Sequence, residues 1–265
     1  MSLKLKTTLQ DLFLKRLNHY TMKFLYVCLI LVSTTYAQSS GKVSYKFYVP
    51  LNVENVQAQD TKAFISKMVD YANKQEFELV FNKLHSKFIF IETMNYGSDY
   101  ERKINNIART SYTSPDTYTN LAKNSQVSLL NDGTLIESTI EKNKWEISGE
   151  SKYIGDYLCY KAILKIPYIG RNGDSRVKEI ISWFASSLPY SYGPKSAFGL
   201  PGLVLEFTED EKTFKASKIE LFQKEIQINF PKGKTITKEE YNKKLESSMG
   251  GVILSEKREK EKDKL

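Results

Sequence analysis

Cysteine and histidine are almost missing from this chain. It has 265 residues, with two Cys and two His. Beyond position 37 only Cys159 and His85 remain. One thiol cannot close an internal disulfide, so an ordinary apolar core must hold the fold. A structural or catalytic zinc site needs three or four clustered ligands, which one His and one Cys do not supply. No spacing supports a Cys159/His85 nucleophilic pair. No G-x-S-x-G elbow is present, and no glycine loop ends in Lys-Ser/Thr before a helix, so neither a serine-hydrolase turn nor a phosphate cradle is indicated.

Long apolar runs are also missing. The longest near the N-terminus is "FLYVCLILV", Phe24 to Val32, well short of the roughly 20 residues that cross a bilayer. It follows Met22-Lys23 and precedes the small and polar residues that end at Ala37. That is the pattern of a secretory signal peptide over 22–37, with cleavage before Gln38. Cys28 follows Val27 inside the greasy run, so it does not read as a lipid-attachment site. Residues 1–21 precede a natural start at Met22 and read as an over-extended gene start. The expected location is periplasmic or envelope-associated, with secretion as the further possibility and no membrane span in the mature form.

A large excess of one charge is lacking too. The whole chain carries a net +8. Five basic residues and one acid lie within the first 37, so half of that excess leaves with the leader. What remains is far from the basic stripe of a nucleic-acid binder. The end of the chain, "SEKREKEKDKL" from Ser255, alternates charges with almost no apolar anchor. Residues 249–265 therefore read as a charged, disordered tail. From Gln38 onward there is no fixed-period repeat and no Pro/Ser linker, so 38–248 reads as a single β-rich domain.

What is present is strand signal. "KVSYKFYV" alternates Val43, Tyr45 and Phe47 with polar neighbours. "FELVFNKL" and "KFIFIETM" are two aromatic, β-branched runs joined by His85-Ser86 in a short loop. "SQVSLLNDGTLIESTI" carries Asn131-Asp132-Gly133 between alternating arms, a hairpin signature. "KWEISGES", "LCYKAILKI", "EIISWFAS", "LVLEFT" and "TFKASKIELFQ" continue the pattern. Helical spacing of Phe64, Met68 and Tyr71 predicts a helix over Thr61–Lys74. Thr237 with Glu240 three residues on predicts a capped second helix. The fold class is mainly β (α+β): a curved antiparallel meander, open or a half-barrel, with one or two covering helices.

"AFGLPGLVLEF" bends this pattern. In Leu200-Pro201-Gly202-Leu203, Pro at the second position and Gly at the third predict a type II turn, with positive φ at Gly202. Gly199 is expected to allow a close backbone approach. A strand should follow, with Leu203, Leu205 and Phe207 on one face and Val204 and Glu206 on the other. Just upstream, Tyr190, Tyr192, Pro194 and Phe198 form a Tyr/Pro-rich loop, expected to line a binding rim. Aromatic residues of this kind more often fill a core. Cys159 alternates within a strand and reads as a small inert hydrophobe or as an unpaired thiol for a partner. Asp132, Glu209, Asp210 and Glu211 fall at expected turns, where acids are solvated.

The stretch "GPKSAFGLPGLVLEF" resembles the signature of the GLPGLI family, exported proteins of unknown function from Bacteroidetes-type bacteria. "KWEISGESKYIGDYLCYKA" is similar to that family's Trp strand and following Gly-Tyr-x-Cys-x-Lys-Ala step. Trp183, Phe184, Pro189, Gly193, Pro194 and Phe198 match its Trp-Phe, Pro, Gly-Pro and Phe positions. The likeness runs from about Trp145 to Phe207. Val204 replaces Ile, Gly155-Asp156-Tyr157 carries one extra residue, and the link from Ile166 to Ile181 is long, so that hairpin should project. The resemblance implies no activity and no cofactor. The expected function is therefore a non-catalytic binding or interaction module. Its partner would be an envelope protein or an apolar ligand. A lipid carrier with a half-barrel cavity and a hydrolase with scattered residues are the alternatives.

Overall fold

Twelve strands hydrogen-bond into one sheet in the order β12-β6-β5-β4-β3-β2-β1-β11-β10-β9-β8-β7. The computed structural model describes residues 40–92, 97–140, 142–169, 174–195 and 197–248, with the side chain of Ile169 left out. All of these fall in one compact unit, Ser39–Leu265. The expected leader, early start and charged tail lie outside the described residues.

The order contains two meanders. β1 (Ser40–Tyr48), β2 (Glu76–Phe81), β3 (His85–Ile91), β4 (Asp116–Asn120), β5 (Ser125–Leu129) and β6 (Leu135–Thr139) follow one another antiparallel. So do β7 (Glu146–Ile154), β8 (Tyr157–Ile169), β9 (Ser175–Ala185), β10 (Leu203–Glu209) and β11 (Lys212–Phe222). β1 pairs with β11 and so joins the two halves. β12 (Thr235–Thr237) adds to β6 in parallel. The sheet is thus open, curved and mixed, antiparallel except at that one edge.

Cross-strand partners share a face, so the register sorts the side chains. The inner face carries Val43, Tyr45 and Phe47 on β1, Phe77, Leu79 and Phe81 on β2, and Phe88 on β3. On the other half it carries Phe214 and Phe207. These are all buried, and the rings touch one another. Phe77 stacks on Phe88 at 5.4 Å and meets Phe214 edge-on at 5.0 Å. Phe47 lies 4.9 Å from Phe214. Each such pair adds roughly 0.5–1.5 kcal/mol beyond its buried area. The inner face is therefore filled with packed rings along β1, β2, β3 and β11.

Helix α1 (Gln59–Asn73) and helix α2 (Asp99–Tyr112) pack on each other. They lay Val69, Ala72 and Ala108 onto the same core. The buried stripe of α1 is Val69 and Ala72, with Ile65, Met68 and Tyr71 partly buried, while Phe64 is exposed. Of the three expected positions, Met68 and Tyr71 thus face the core and Phe64 does not. Helix α2 and strand β4 were not expected. Ser98 caps α2 by accepting from the Glu101 N–H at 3.3 Å, and the Glu101 carboxylate accepts from the Gly97 N–H at 2.9 Å. Helix α3 (Lys238–Glu246) carries the full Thr237/Glu240 capping box, as expected.

The β2–β3 hairpin is also as expected, but its turn is Asn82–Leu84. His85 and Ser86 already belong to β3. Asn82 explains the shift: its Oδ1 accepts from the N–H groups of Leu84 and His85. On the outer face, the segment between β11 and β12 crosses the first meander. Asn82 Nδ2 donates to the Ile226 carbonyl at 3.0 Å, and Phe230 packs on His85 and Tyr118.

Candidate functional site

The glycines of Gly199-Leu200-Pro201-Gly202-Leu203 exchange their expected duties. Gly199 takes the left-handed backbone, φ +88°, while Gly202 does not have positive φ. A Cβ on Gly202 would sit 2.3 Å from the Ala185 carbonyl oxygen and 2.7 Å from its carbon. A Cβ on Gly199 would meet nothing within 4 Å. The type II turn with its strained position at Gly202 is therefore corrected. Gly202 is small because the chain passes directly over the end of β9, and Gly199 supplies the bend. The strand does follow, but a bulge between Val204 and Glu206 breaks the expected alternation. Leu203, Val204 and Leu205 are all fully buried.

The loop before this turn is a plug over the inner face. Tyr192 and Pro194 are buried, and Tyr190 and Phe198 are half-buried. Tyr190 and Tyr192 pack on Phe81, at 4.6 and 5.9 Å between ring centroids. Burial pushes the hydroxyl pKa of Tyr192 upward, and that hydroxyl has no partner among the described residues. The Phe198 carbonyl accepts from Trp145 Nε1 at 3.0 Å. The four aromatic and proline positions are thus mainly packing groups, because the sheet's inner face needs covering there.

Lys195 pins the loop. Its backbone is left-handed, φ 57°. Its ammonium pairs with Glu209 of β10, and its carbonyl accepts from Thr117 of β4 at 3.4 Å. Glu209 also accepts from Lys178 at 2.8 Å. Burial pushes the Glu209 carboxyl up, but Lys195 and Lys178 outweigh it and hold the pKa below the usual value. The expectation of a solvated turn acid fails at this residue, because its side chain is only 17% exposed.

Cys159 is fully buried in the β8–β9 half and donates to the Tyr157 carbonyl at 3.5 Å. Burial pushes its thiol up to about 11. His85 stands on β3 against Phe230. Five strands separate β3 from β8 in the sheet order, so the two do not meet.

The site that sequence reasoning missed lies beside α2. An open groove of about 710 Å³ runs between α2 and the β5–β6 hairpin, with Arg109, Asp116 and Asn131 in its walls. A second groove, about 330 Å³, shares Arg109, Thr110, Leu130 and Asn131 with the first and reaches Tyr241 of α3. Arg109 Nη2 donates to Asp116 Oδ1 at 2.8 Å. The guanidinium lies 4.5 Å from the centre of the Phe90 ring. Asp116 Oδ1 also accepts from the Phe90 N–H at 2.9 Å. The pair is thus fixed by a ring, a strand amide and itself. Arg109 Nε and Ser114 Oγ are buried without a hydrogen-bond partner among the described residues. Asn131 Nδ2 donates to Thr110 Oγ1 at 2.6 Å, and Thr110 Oγ1 donates to the Asn106 carbonyl. The readable signal was the Ser98-x-x-Glu101 cap, which would have placed Arg109 on a helix.

No group of three or more His, Cys, Asp or Glu stands close enough to hold a metal among the described residues. No described helix is long and apolar enough to cross a membrane.

A family described as "Protein of unknown function (Porph_ging)", associated with Bacteroidetes, has a model that matches residues 171–206. That span holds β9, the plug loop and the glycine-proline turn. No curated protein matches the chain. Two solved structures of PNGF-II are similar to it. The C2 form has 15% identity and a TM-score of 0.43, over 71% of this chain and 28% of that one. The P21 form has 14% identity and a TM-score of 0.48, over 79% and 33%. This chain thus spans a third or less of the PNGF-II chain.

Proposed function

We propose that this chain is an exported envelope protein of the GLPGLI type that binds a ligand rather than transforming one, and that its site is the groove at Arg109 and Asp116. The observation that carries this reading is the fixed guanidinium–carboxylate pair in a groove of about 710 Å³. Ligand sites commonly have volumes of about 300–1,000 Å³ and hold a few positioned polar groups. The groove walls come from a helix, a strand start and a hairpin end, so their polar groups are held by ordered backbone. An apolar carrier is less well supported, since aromatic rings fill the inner face. A Cys-His hydrolase is less well supported because Cys159 and His85 are kept apart. Export rests on residues 22–37, and the GLPGLI reading rests on the motifs between Trp145 and Phe207.

The protein purified from its native host tests both parts. The expected product begins at Gln38 and fractionates with the periplasm or envelope. Mass spectrometry of small molecules retained by the wild type and by Arg109→Ala tests the groove. The wild type should carry a species that the variant loses. Equal retention by both proteins, with Arg109→Ala folded by circular dichroism, would remove the groove as the site. A cytosolic product that keeps Met22 would remove export.

A further inference from the structure

Resting on the groove as the binding site, we infer that its ligand is a neutral polyhydroxyl compound, an oligosaccharide segment held by the planar side chains of Arg109, Asp116, Asn106 and Asn131. Charge argues first. A free anion at Arg109 would displace or crowd Asp116, which already sits 2.8 Å away. The second groove also carries Asp132, whose carboxyl is held low chiefly by the Thr134 backbone N–H and so stays negative. A free cation at Asp116 would meet Arg109. A neutral ligand meets neither obstacle.

Hydrogen-bond chemistry narrows the class. Arg109 offers donors beside the acceptor Asp116, and each Asn side chain offers one donor end and one acceptor end. A hydroxyl both donates and accepts, so neighbouring hydroxyls on a sugar ring can each satisfy one end of such a planar group. Asn106 and Asn131 are exposed on opposite walls. The Asn131 amide is held by its bond to Thr110 Oγ1, which in turn donates to the Asn106 backbone carbonyl, so the Asn131 amide is oriented while that of Asn106 stays open to a ligand. Ile107, Leu129 and Leu130 supply an aliphatic strip between the polar groups, suited to the C–H face of a ring. An extended peptide is the less suitable occupant. Adding a strand needs an open backbone edge, but here the hairpin end is closed on itself. Leu130 N–H donates to the Thr134 carbonyl, and Gly133 N–H donates to the Leu130 carbonyl.

Binding of the mature protein, residues 38–265, to an array of neutral and acidic oligosaccharides tests this class. Isothermal titration of the best neutral hit and of a neutral blocked tripeptide follows. Neutral oligosaccharides should bind. Arg109→Ala should weaken them about tenfold or more, and the exposed variants Asn106→Ala and Asn131→Ala several-fold, near one hydrogen bond each. Amide-detected NMR should show shifts at Thr110, Asn131 and Gly133. An array with no neutral binder would overturn the ligand class. Neutral binding that ignores all three variants would overturn it as well. Tripeptide shifts at the same amides, with sugars inert, would refute the sugar and leave the groove standing. No shift there with any ligand, including species retained from the native host, would remove both.

Discussion

Placing a methyl group on Gly202 separates two explanations for the glycine-proline turn. The Cβ of Gly202→Ala would stand 2.3 Å from the Ala185 oxygen, 2.7 Å from its carbonyl carbon and 3.0 Å from Ser186 Cα. All three are backbone atoms, so no side chain can swing away. Relief requires the start of β10 to lift from β9. That move loosens the Leu203–Ala185 pairing and the bond from Leu203 N–H to the Leu188 carbonyl at 2.9 Å. Overpacking a tight site costs about 1–3 kcal/mol. A buried backbone group left unpaired costs about 1–3 kcal/mol more. The expected loss is therefore about 2–6 kcal/mol. For a domain of this size 1 kcal/mol moves Tm by roughly 2–4 °C, so a fall of about 4 °C or more should appear in calorimetry of the mature protein. Gly199→Ala is the internal control. It meets no atom but must hold positive φ, at a cost of about 1–2 kcal/mol, and Gly199→Asn should cost less because Asn tolerates that region. If Gly199→Ala proves as damaging as Gly202→Ala, or more so, the close approach is not what fixes Gly202 and the reasoning fails.

Two further outcomes follow from the buried groups. Native Cys159, with its thiol pushed up to about 11, should react with iodoacetamide at pH 8 about a hundredfold or more slower than in the denatured chain, since only the thiolate attacks; equal rates would show that the thiol is accessible. Because Glu209 is held below its unfolded value, its contribution is present above the unfolded pKa and is lost as pH falls through the folded one. Denaturant titrations across pH 7 to 3 should therefore show Glu209→Gln less stable near neutrality and with a shallower acid decline than the wild type, and parallel curves would refute the pairing with Lys195 and Lys178.

Much of the fold could be read from local chemistry. Asn131-Asp132-Gly133 marks a real hairpin end, and Thr237 with Glu240 marks a real helix start. These signals act within a few residues, so one sequence contains them whole. Other features depend on distant partners. The inner position of Tyr192 follows from Phe81, more than a hundred residues away, which needs a cover. Glu209 reads as a solvated turn acid until Lys178 and Lys195 arrive from β9 and the plug loop. The bulge at Leu205 is invisible because Leu203, Val204 and Leu205 are all apolar and give no polar mark to show which face each one takes. The groove was hidden for the same reason: Arg109, Asp116 and Asn131 belong to three elements, and the first of these was not recognised as a helix.

The seam between β1 and β11 has a consequence for how the molecule comes together. Ser40 sits opposite Phe222, so the middle of the sheet is stitched by the two most distant parts of its ladder. Each meander zips through neighbours, whereas closing the seam must first overcome the entropy of a very long loop. Until Lys212–Phe222 is in place, β1 has a neighbour on one side only, and an aromatic strand lies uncovered at the rim of a half-built sheet. Such an edge invites pairing with other chains, so the last long strand to emerge also shields the first.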